Sequence, residues 1–380
     1  VSPSCLATAQ SPGTPPHSGL CPTGDNTSAV RCDPSFEESR VFLVVLYSVV
    51  CALGFPANCL TAWLTLLQAL QGSVLAVYLF CLALCELLYL STLPLWVVYV
   101  QNGHHWALGP RACKFTAYIF FCNIYVSILF LCCISCDRFM AVVYALESHG
   151  RRNQRTAMAV SASVFVLVGL IHYPVFQMKD EDRCFETLPT DHKTAGYHYS
   201  RFVVGFAVPL SVIAFTNHRI FESIRLSAGL SAVQKARVRR SLTAVVVIFL
   251  VCFAPHHLML LVKAVAFSYH RGTWAAVCDF EIRVYTPSAM FLCLCTVNSV
   301  ADPIIYVLAT DNSWQELSRI HRQWRERSTN TDGGSLRDPR RRGQTGAGVQ
   351  GPVARSEPTS LRPVAPADRT SPGNLPLASC

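Results

Sequence analysis

Seven nearly unbroken runs of apolar residues, separated by short polar connections, fill the middle of this chain. They cover 41–68, 74–100, 111–144, 156–176, 197–226, 236–267 and 279–308. The third run carries Cys113-Lys114 near its start, passes through an apolar and aromatic middle, and reaches Asp137-Arg138-Phe139 near its end. At the helical rise, Cys113 and Arg138 lie about 37 Å apart, enough to cross a bilayer with some tilt. The pattern predicts an all-α fold, a bundle of seven membrane-spanning helices over 41–308. Residues 1–40 are rich in Pro, Ser, Gly and Thr and are expected to be a disordered tail. They contain no basic segment leading into an apolar one, so no cleavable signal is expected. In 309–327, Trp314, Leu317, Ile320 and Trp324 recur at spacings of three or four, with Arg on other faces. That spacing predicts a short amphipathic eighth helix on the membrane surface, without a cysteine for a palmitoyl anchor. Residues 328–380 are again tail-like, and the terminal Cys380 forms no prenylation box.

Composition strengthens this reading. Of 380 residues, 51% are hydrophobic and 14% charged, against roughly a quarter charged in soluble domains. Mean hydropathy is +0.33, which points to a polytopic membrane protein. The formal charge of +9 is no nucleic-acid signature, because the bases cluster around the spans. Arg151, Arg152 and Arg155 follow the third span; Arg225, Lys235, Arg237, Arg239 and Arg240 follow the fifth; Arg319, Arg322, Arg325 and Arg327 follow the seventh. The alternate connections hold fewer bases, so the N-terminus is expected outside and the C-terminus in the cytosol. The sequon Asn26-Thr27-Ser28 agrees, making Asn26 a glycosylation candidate. Many of the 18 cysteines lie within spans, where they act as small hydrophobes. No esterase, zincin, P-loop or zinc-finger spacing is present, so no enzyme is expected. A channel or transporter is the less favoured membrane class, since neither internal repeats nor charged pore rings are visible.

Particular residues on these spans carry a resemblance. Gly54 and Asn58 lie on the first span, Leu82-Ala83 and Glu86 on the second, and Cys113 and Asp137-Arg138-Phe139 on the third. Pro209 lies on the fifth, Cys252-Phe253-Ala254-Pro255 on the sixth, and Asn298 and Asp302-Pro303-Ile304-Ile305-Tyr306 on the seventh. In this order the chain resembles the rhodopsin-like (class A) G-protein-coupled receptors from about Val41 to Trp324. Within them it resembles the proton- and lipid-responsive group. It departs from the usual pattern at Glu86 (aspartate), Val164 (tryptophan), Asn217 (tyrosine) and Phe253 (tryptophan).

The resemblance implies a plasma-membrane receptor for bioactive lipids, either oxidised fatty acids or lysophospholipids, and for extracellular protons. Heterotrimeric G-proteins, arrestin and receptor kinases would be its partners. A constitutively active receptor and a non-signalling decoy or scaffold are the alternatives. It implies a Cys113–Cys184 disulfide and a second one, Cys32–Cys278, for which Cys5 and Cys21 compete. Asp137 and Arg138 would form a latch at the G-protein end, with Asp302, Pro303 and Tyr306 in the switch. Glu86, Asn123, Ser127, Asn298, Ser299 and Asp302 match a polar mid-membrane core. There two carboxyls would share a proton or a sodium ion, the one cofactor expected; a static hydrogen-bonded cluster is the plainer alternative. Arg201 and Lys263 are the cations suited to a lipid head, with snorkelling to the headgroups as the alternative. Tyr118, Phe120, Phe121 and Phe206 would supply apolar walls. His256 and His257 follow Pro255, and one of the two should face the cavity. His104, His105, His192, His198 and His270 are pH-sensor candidates on loops or helix tops, where a solvated surface role is the simpler expectation.

Overall fold

The computed structural model describes residue 32 and residues 34–144, 153–177, 184, 188–227 and 231–309. Asn26, Cys5, Cys21, Arg151, Arg152, the predicted amphipathic helix and the C-terminal tail lie outside the described residues. Among the described residues, seven helices are long and apolar enough to cross a membrane: α1 (Glu37–Leu70), α2 (Val74–Gln101), α3 (Pro110–Val143), α4 (Gln154–Gln177), α5 (His192–Leu226), α6 (Ala232–Tyr269) and α7 (Trp274–Leu308).

Several helices begin before their apolar runs do. α1 starts at Glu37, where Glu37 and Glu38 meet the positive end of the helix dipole, and Arg40 donates to the Gln101 carbonyl of α2 at 2.9 Å. Ser231 and Gln234 form a reciprocal capping box ahead of α6. Asp191 caps α5 by accepting the Thr194 N–H at 2.7 Å. Hydropathy does not register these polar caps, which carry the helices beyond the hydrocarbon boundary.

The Asp191 cap also makes a pH statement. Hydrogen bonds from the Thr194 hydroxyl and N–H hold the Asp191 carboxyl below its usual range. A depressed carboxyl adds stability above its unfolded value and loses it only as pH falls through the folded one. The protection factors of amides at the start of α5, which remove the intrinsic pH dependence of exchange, are therefore expected to stay flat from neutrality to about pH 5. Asp191→Ala is expected to speed that exchange, with a cap loss of about 1 kcal/mol.

Irregular turns sit where prolines remove a donor or crowd the preceding carbonyl. α5 widens into a π-turn at Val203–Ala207 before Pro209, and α6 does so at Phe249–Phe253 before Pro255. α4 ends in a 3-10 turn containing Pro174. α7 tightens as well, at Cys295–Val297 just ahead of Asn298, without a proline in or beside the turn.

α3 is the central rod: 67% of its most apolar stretch is buried, against 28% for α1. It packs on α2, α4 and α5; α1 joins α2 to α7, and α6 bridges α5 and α7. The core is a mid-membrane layer of fully buried side chains that includes Ile128, Phe130, Leu131, Ile213, Phe249 and Phe253. Backbone-seeking amides tie the helices. Asn58 of α1 donates to the Ser299 carbonyl of α7 at 2.6 Å, and Asn217 of α5 donates to the Leu242 carbonyl of α6 at 3.4 Å. Asn217 thus stitches α5 to α6 where the family usually has a tyrosine.

Gly205 shows how tightly α3 meets α5. A Cβ at this position would overlap the Tyr125 ring. Gly205→Ala is expected to displace that ring at a cost of about 1–3 kcal/mol, read as a shorter thermal half-life of the solubilised protein.

Candidate functional site

Toward the Cys113 end, the helices part around a cavity of ≈ 1000 Å³. Two of its cations, Arg201 and Lys263, gather on one side. On the α5–α6 side stand Arg201, Lys263, His198 and His256; on the α2–α7 side stand Trp96, Tyr99, His104, Tyr285 and Glu281. Arg201 lies over the Phe121 ring at 5.0 Å, a cation–π contact that fixes the guanidinium. Phe120 continues the aromatic wall, 5.5 Å from Trp96 and 5.6 Å from Tyr89.

Of the adjacent histidines, His256 borders the cavity. His257 turns into the protein, fully buried, with Nδ1 2.8 Å from the Phe253 carbonyl. It stacks on Phe206 at 5.3 Å, and Phe206 stacks on Phe249 at 5.4 Å, both pairs tilted by only 16°. Phe206 and His257 therefore lie beneath the cavity as a continuous ring stack, not in its lining. Tyr118 is likewise not a wall residue. Its hydroxyl donates to the Gly169 carbonyl of α4 at 3.1 Å, and its ring leans on Phe176. Tyr118 stands about 60° round the helix axis from Phe121, and its contacts with Gly169 and Phe176 hold it against α4.

The loop histidines divide. His105 and His192 are exposed, His192 meeting Phe267 edge-on, and His270 is half-buried. His198 is half-buried in the cavity wall. His104 is no surface residue: it is 4% exposed, adopts φ 63°, stacks on Phe36 at 4.3 Å and meets Tyr99 edge-on at 5.0 Å. The segment ahead of α1 folds over it, a tertiary contact that loop position does not reveal.

Glu281 was not singled out from sequence, although an acid at helical spacing from Tyr285 and Ser288 within an apolar span was its signal. It is 1% exposed and accepts the Thr190 N–H at 2.9 Å and the Thr190 hydroxyl. These bonds tie α7 to the residues that lead into α5. Thr190→Val removes one donor to a buried carboxyl and keeps the other. The expected loss is about 1.5–3 kcal/mol, read as faster exchange of the Thr190 amide.

Deeper, Glu86 of α2 is fully buried and collects three donors. Ser127 of α3 and Asn298 of α7 donate to Oε1 at 2.6 and 2.9 Å, and Ser299 donates to Oε2. Asn123 lies alongside, its amide nitrogen 3.8 Å from Cys85 Sγ. Asp302, 3% exposed, is near enough to interact with Glu86. Neither Asp302 oxygen, nor Asn298 Oδ1, has a donor at hydrogen-bonding geometry among the described residues. A buried carboxyl without a donor, beside a second buried carboxyl, suits an added proton or a monovalent cation.

At the Cys113 end, Cys113 joins Cys184 with Cα atoms 5.6 Å apart, and Cys32 joins Cys278 at 5.5 Å. At the far end of α3, Asp137 is buried and Arg138 half-buried. Near that end Tyr306 of α7 receives the Gln68 amide of α1 at 3.1 Å.

A seven-helix membrane bundle with a cavity at one end, a polar core at mid-depth and an acid–arginine pair at the other is the architecture of a transmembrane receptor. Residues 57–306 match the family model "7 transmembrane receptor (rhodopsin family)", and the chain belongs to that family. It is 66% identical over 341 residues to human "Probable G-protein coupled receptor 132", covering 89% of each chain. The corresponding mouse protein is 68% identical over 305 residues, 80% of each chain. Bovine "G-protein coupled receptor 68" is 35% identical over 305 residues, 78% of this chain and 82% of its own. The protein is a G-protein-coupled receptor.

Proposed function

We propose that this receptor answers to a single-chain anionic lipid, an oxidised fatty acid or a lysophospholipid, and sits in the plasma membrane with the Cys113 end outside. The carrying observation is that Arg201 and Lys263 border one largely aromatic and aliphatic cavity. A carboxylate or phosphate needs cations there, and its acyl chain needs the apolar remainder. The basic connections at the opposite end, including Arg155, Arg225, Lys235 and Arg237, support a cytosolic face there. That face would present Arg138 to heterotrimeric G-proteins. Hydroxyls beyond Ser328, among them Thr329, Thr331 and Ser335, would serve receptor kinases and arrestin.

The deciding experiment screens oxidised fatty acids and lysophospholipids at two pH values against several G-proteins. Arg201→Ala is expected to raise the half-maximal concentration of the active lipid about 10–100-fold, the loss of a charge-assisted hydrogen bond. Arg201→Lys is expected to recover part of it, since an ammonium lacks the planar fork. Unchanged potency in Arg201→Ala would remove the lipid-head role. Activity without ligand, or lipid binding without G-protein recruitment, would favour the constitutive or decoy alternative.

A second reading rests on the oxygens of Asp302 that lack donors beside Glu86. We infer that a proton or a sodium ion shared there tunes the switch. Glu86→Gln and Asp302→Asn are expected to shift the pH midpoint of signalling, and an unmoved midpoint in both would sink that idea.

A further inference from the structure

The cavity extends well beyond its cation pair, and its far end is closed. From Arg201 on α5 it crosses the bundle to Leu43 and Tyr47 on α1. Leu43, Tyr47, Trp96, Tyr99 and Val100 line that end and are 3, 6, 9, 3 and 3% exposed. A spacing of four puts Leu43 and Tyr47 on one face of α1, while Phe42, Val45 and Val49 form its exposed face. The segment ahead of α1 roofs this end, with Phe36 stacked on His104 and edge-on to Tyr285 at 5.3 Å. The result is a blind end of buried aromatic and aliphatic side chains.

Other directions from Arg201 are blocked. Tyr125 packs flush against Gly205 of α5 and stacks on His172 of α4 at 4.9 Å, filling the space between those helices. The Phe206–His257 stack lies beneath. A chain whose head sits at Arg201, itself held over Phe121, is therefore steered past Phe120 toward α1. The reverse orientation would set the anion beside the Glu281 carboxyl on the α7 side.

We propose that the α1 wall is a length gauge. The methyl end of the acyl chain comes to rest against Leu43 and Tyr47, and the span from there to Arg201 sets the longest chain that fits. This rests on the lipid reading above and adds which end of the cavity holds which end of the lipid. Each methylene buried along the way contributes about fourfold in affinity. A methylene beyond the wall contributes nothing or clashes with a close-packed interior.

The test uses full-length receptor in lipid nanodiscs and a homologous series of straight-chain hydroxylated fatty acids, lengthened one methylene at a time. Kd is expected to fall about fourfold per methylene up to a break, then to level or rise. Leu43→Ala is expected to move the break to chains about one or two methylenes longer, and Leu43→Phe to shorter ones. Comparing variants at each length cancels the probe's own partitioning into the bilayer. Leu260→Ala, an equal truncation on the α6 wall near Lys263, is expected to leave the break in place. A break unmoved by both Leu43 variants, with binding still weakened in Arg201→Ala, would overturn the gauge and leave the lipid site standing. Binding intact in Arg201→Ala would overturn the lipid reading and the gauge with it. A break that moves as far in Leu260→Ala would mean a general loosening of the cavity, again overturning the gauge. Should the Leu43 variants not fold, the unsubstituted receptor is labelled with a probe carrying a diazirine at its methyl end. Label on α1 around Leu43 and Tyr47 is expected; label confined to α4 or α5 would overturn the proposal.

Discussion

Cys113→Ser is expected to destabilise the receptor by about 2–4 kcal/mol, with most of the protein lost from the cell surface. The bond to Cys184 closes a loop with a sequence separation of 71 residues. For a soluble chain that length would place the effect near the top of the usual range. Here the loop contains most of α3 and the whole of α4, which remain helical in the membrane even when the bundle loosens. Less chain entropy is at stake, so the lower figures apply. What the bond does locally weighs as much: it holds residue 184, part of the cavity lining, against the outer turn of α3. Cys184→Ser and the double variant are expected to match Cys113→Ser, because all three remove the same bond. The half-life of solubilised receptor at a fixed elevated temperature is the suitable readout for a protein that unfolds irreversibly. Losses that add in the double variant would mean that the sulfurs act separately.

Glu86→Leu is expected to cost at least about 3 kcal/mol, since each stranded buried donor costs roughly 1–3 kcal/mol. Ser127, Asn298 and Ser299 would lose their acceptor together, and these side chains come from α3 and α7. The side chain that collects them therefore joins three helices at mid-membrane. Glu86→Gln keeps the shape and one acceptor oxygen, so it is expected to fold and reach the surface while altering signalling. The contrast matters: loss of surface receptor in Leu but not in Gln marks the hydrogen-bond hub, whereas equal loss in both would mean that the charge itself is structural. Thermal half-life and ligand-free G-protein activation, measured side by side, separate the two.

How much of this was legible varied with the kind of interaction. The spans were readable because a lipid-facing helix must be apolar for its whole crossing, whatever it packs against. Their true starts at Glu37, Asp191 and Ser231 were not, because caps are made by polar side chains that hydropathy discounts. Arg201 and Lys263 stood out as bases inside apolar spans. Tyr118 and Phe206 were indistinguishable by type from the wall residues Phe120 and Phe121, since only rotation about the helix axis sends one ring to the cavity and another to a neighbour. His104 and Glu281 were missed as buried groups for a similar reason. Each is buried by a segment far away in sequence, Phe36 in one case and Thr190 in the other.

The sequence by itself determined a seven-helix membrane bundle with an arginine at one end of α3 and a cysteine at the other, because bilayer thickness and backbone hydrogen bonding leave a long apolar segment little alternative to a spanning helix. Only the tertiary structure decided which faces of those helices turn inward. It directs three donors onto Glu86 and places His256 on the cavity and His257 beneath it. Those outcomes depend on helix rotation and on the π-turns before Pro209 and Pro255, which the packing of all seven helices fixes together.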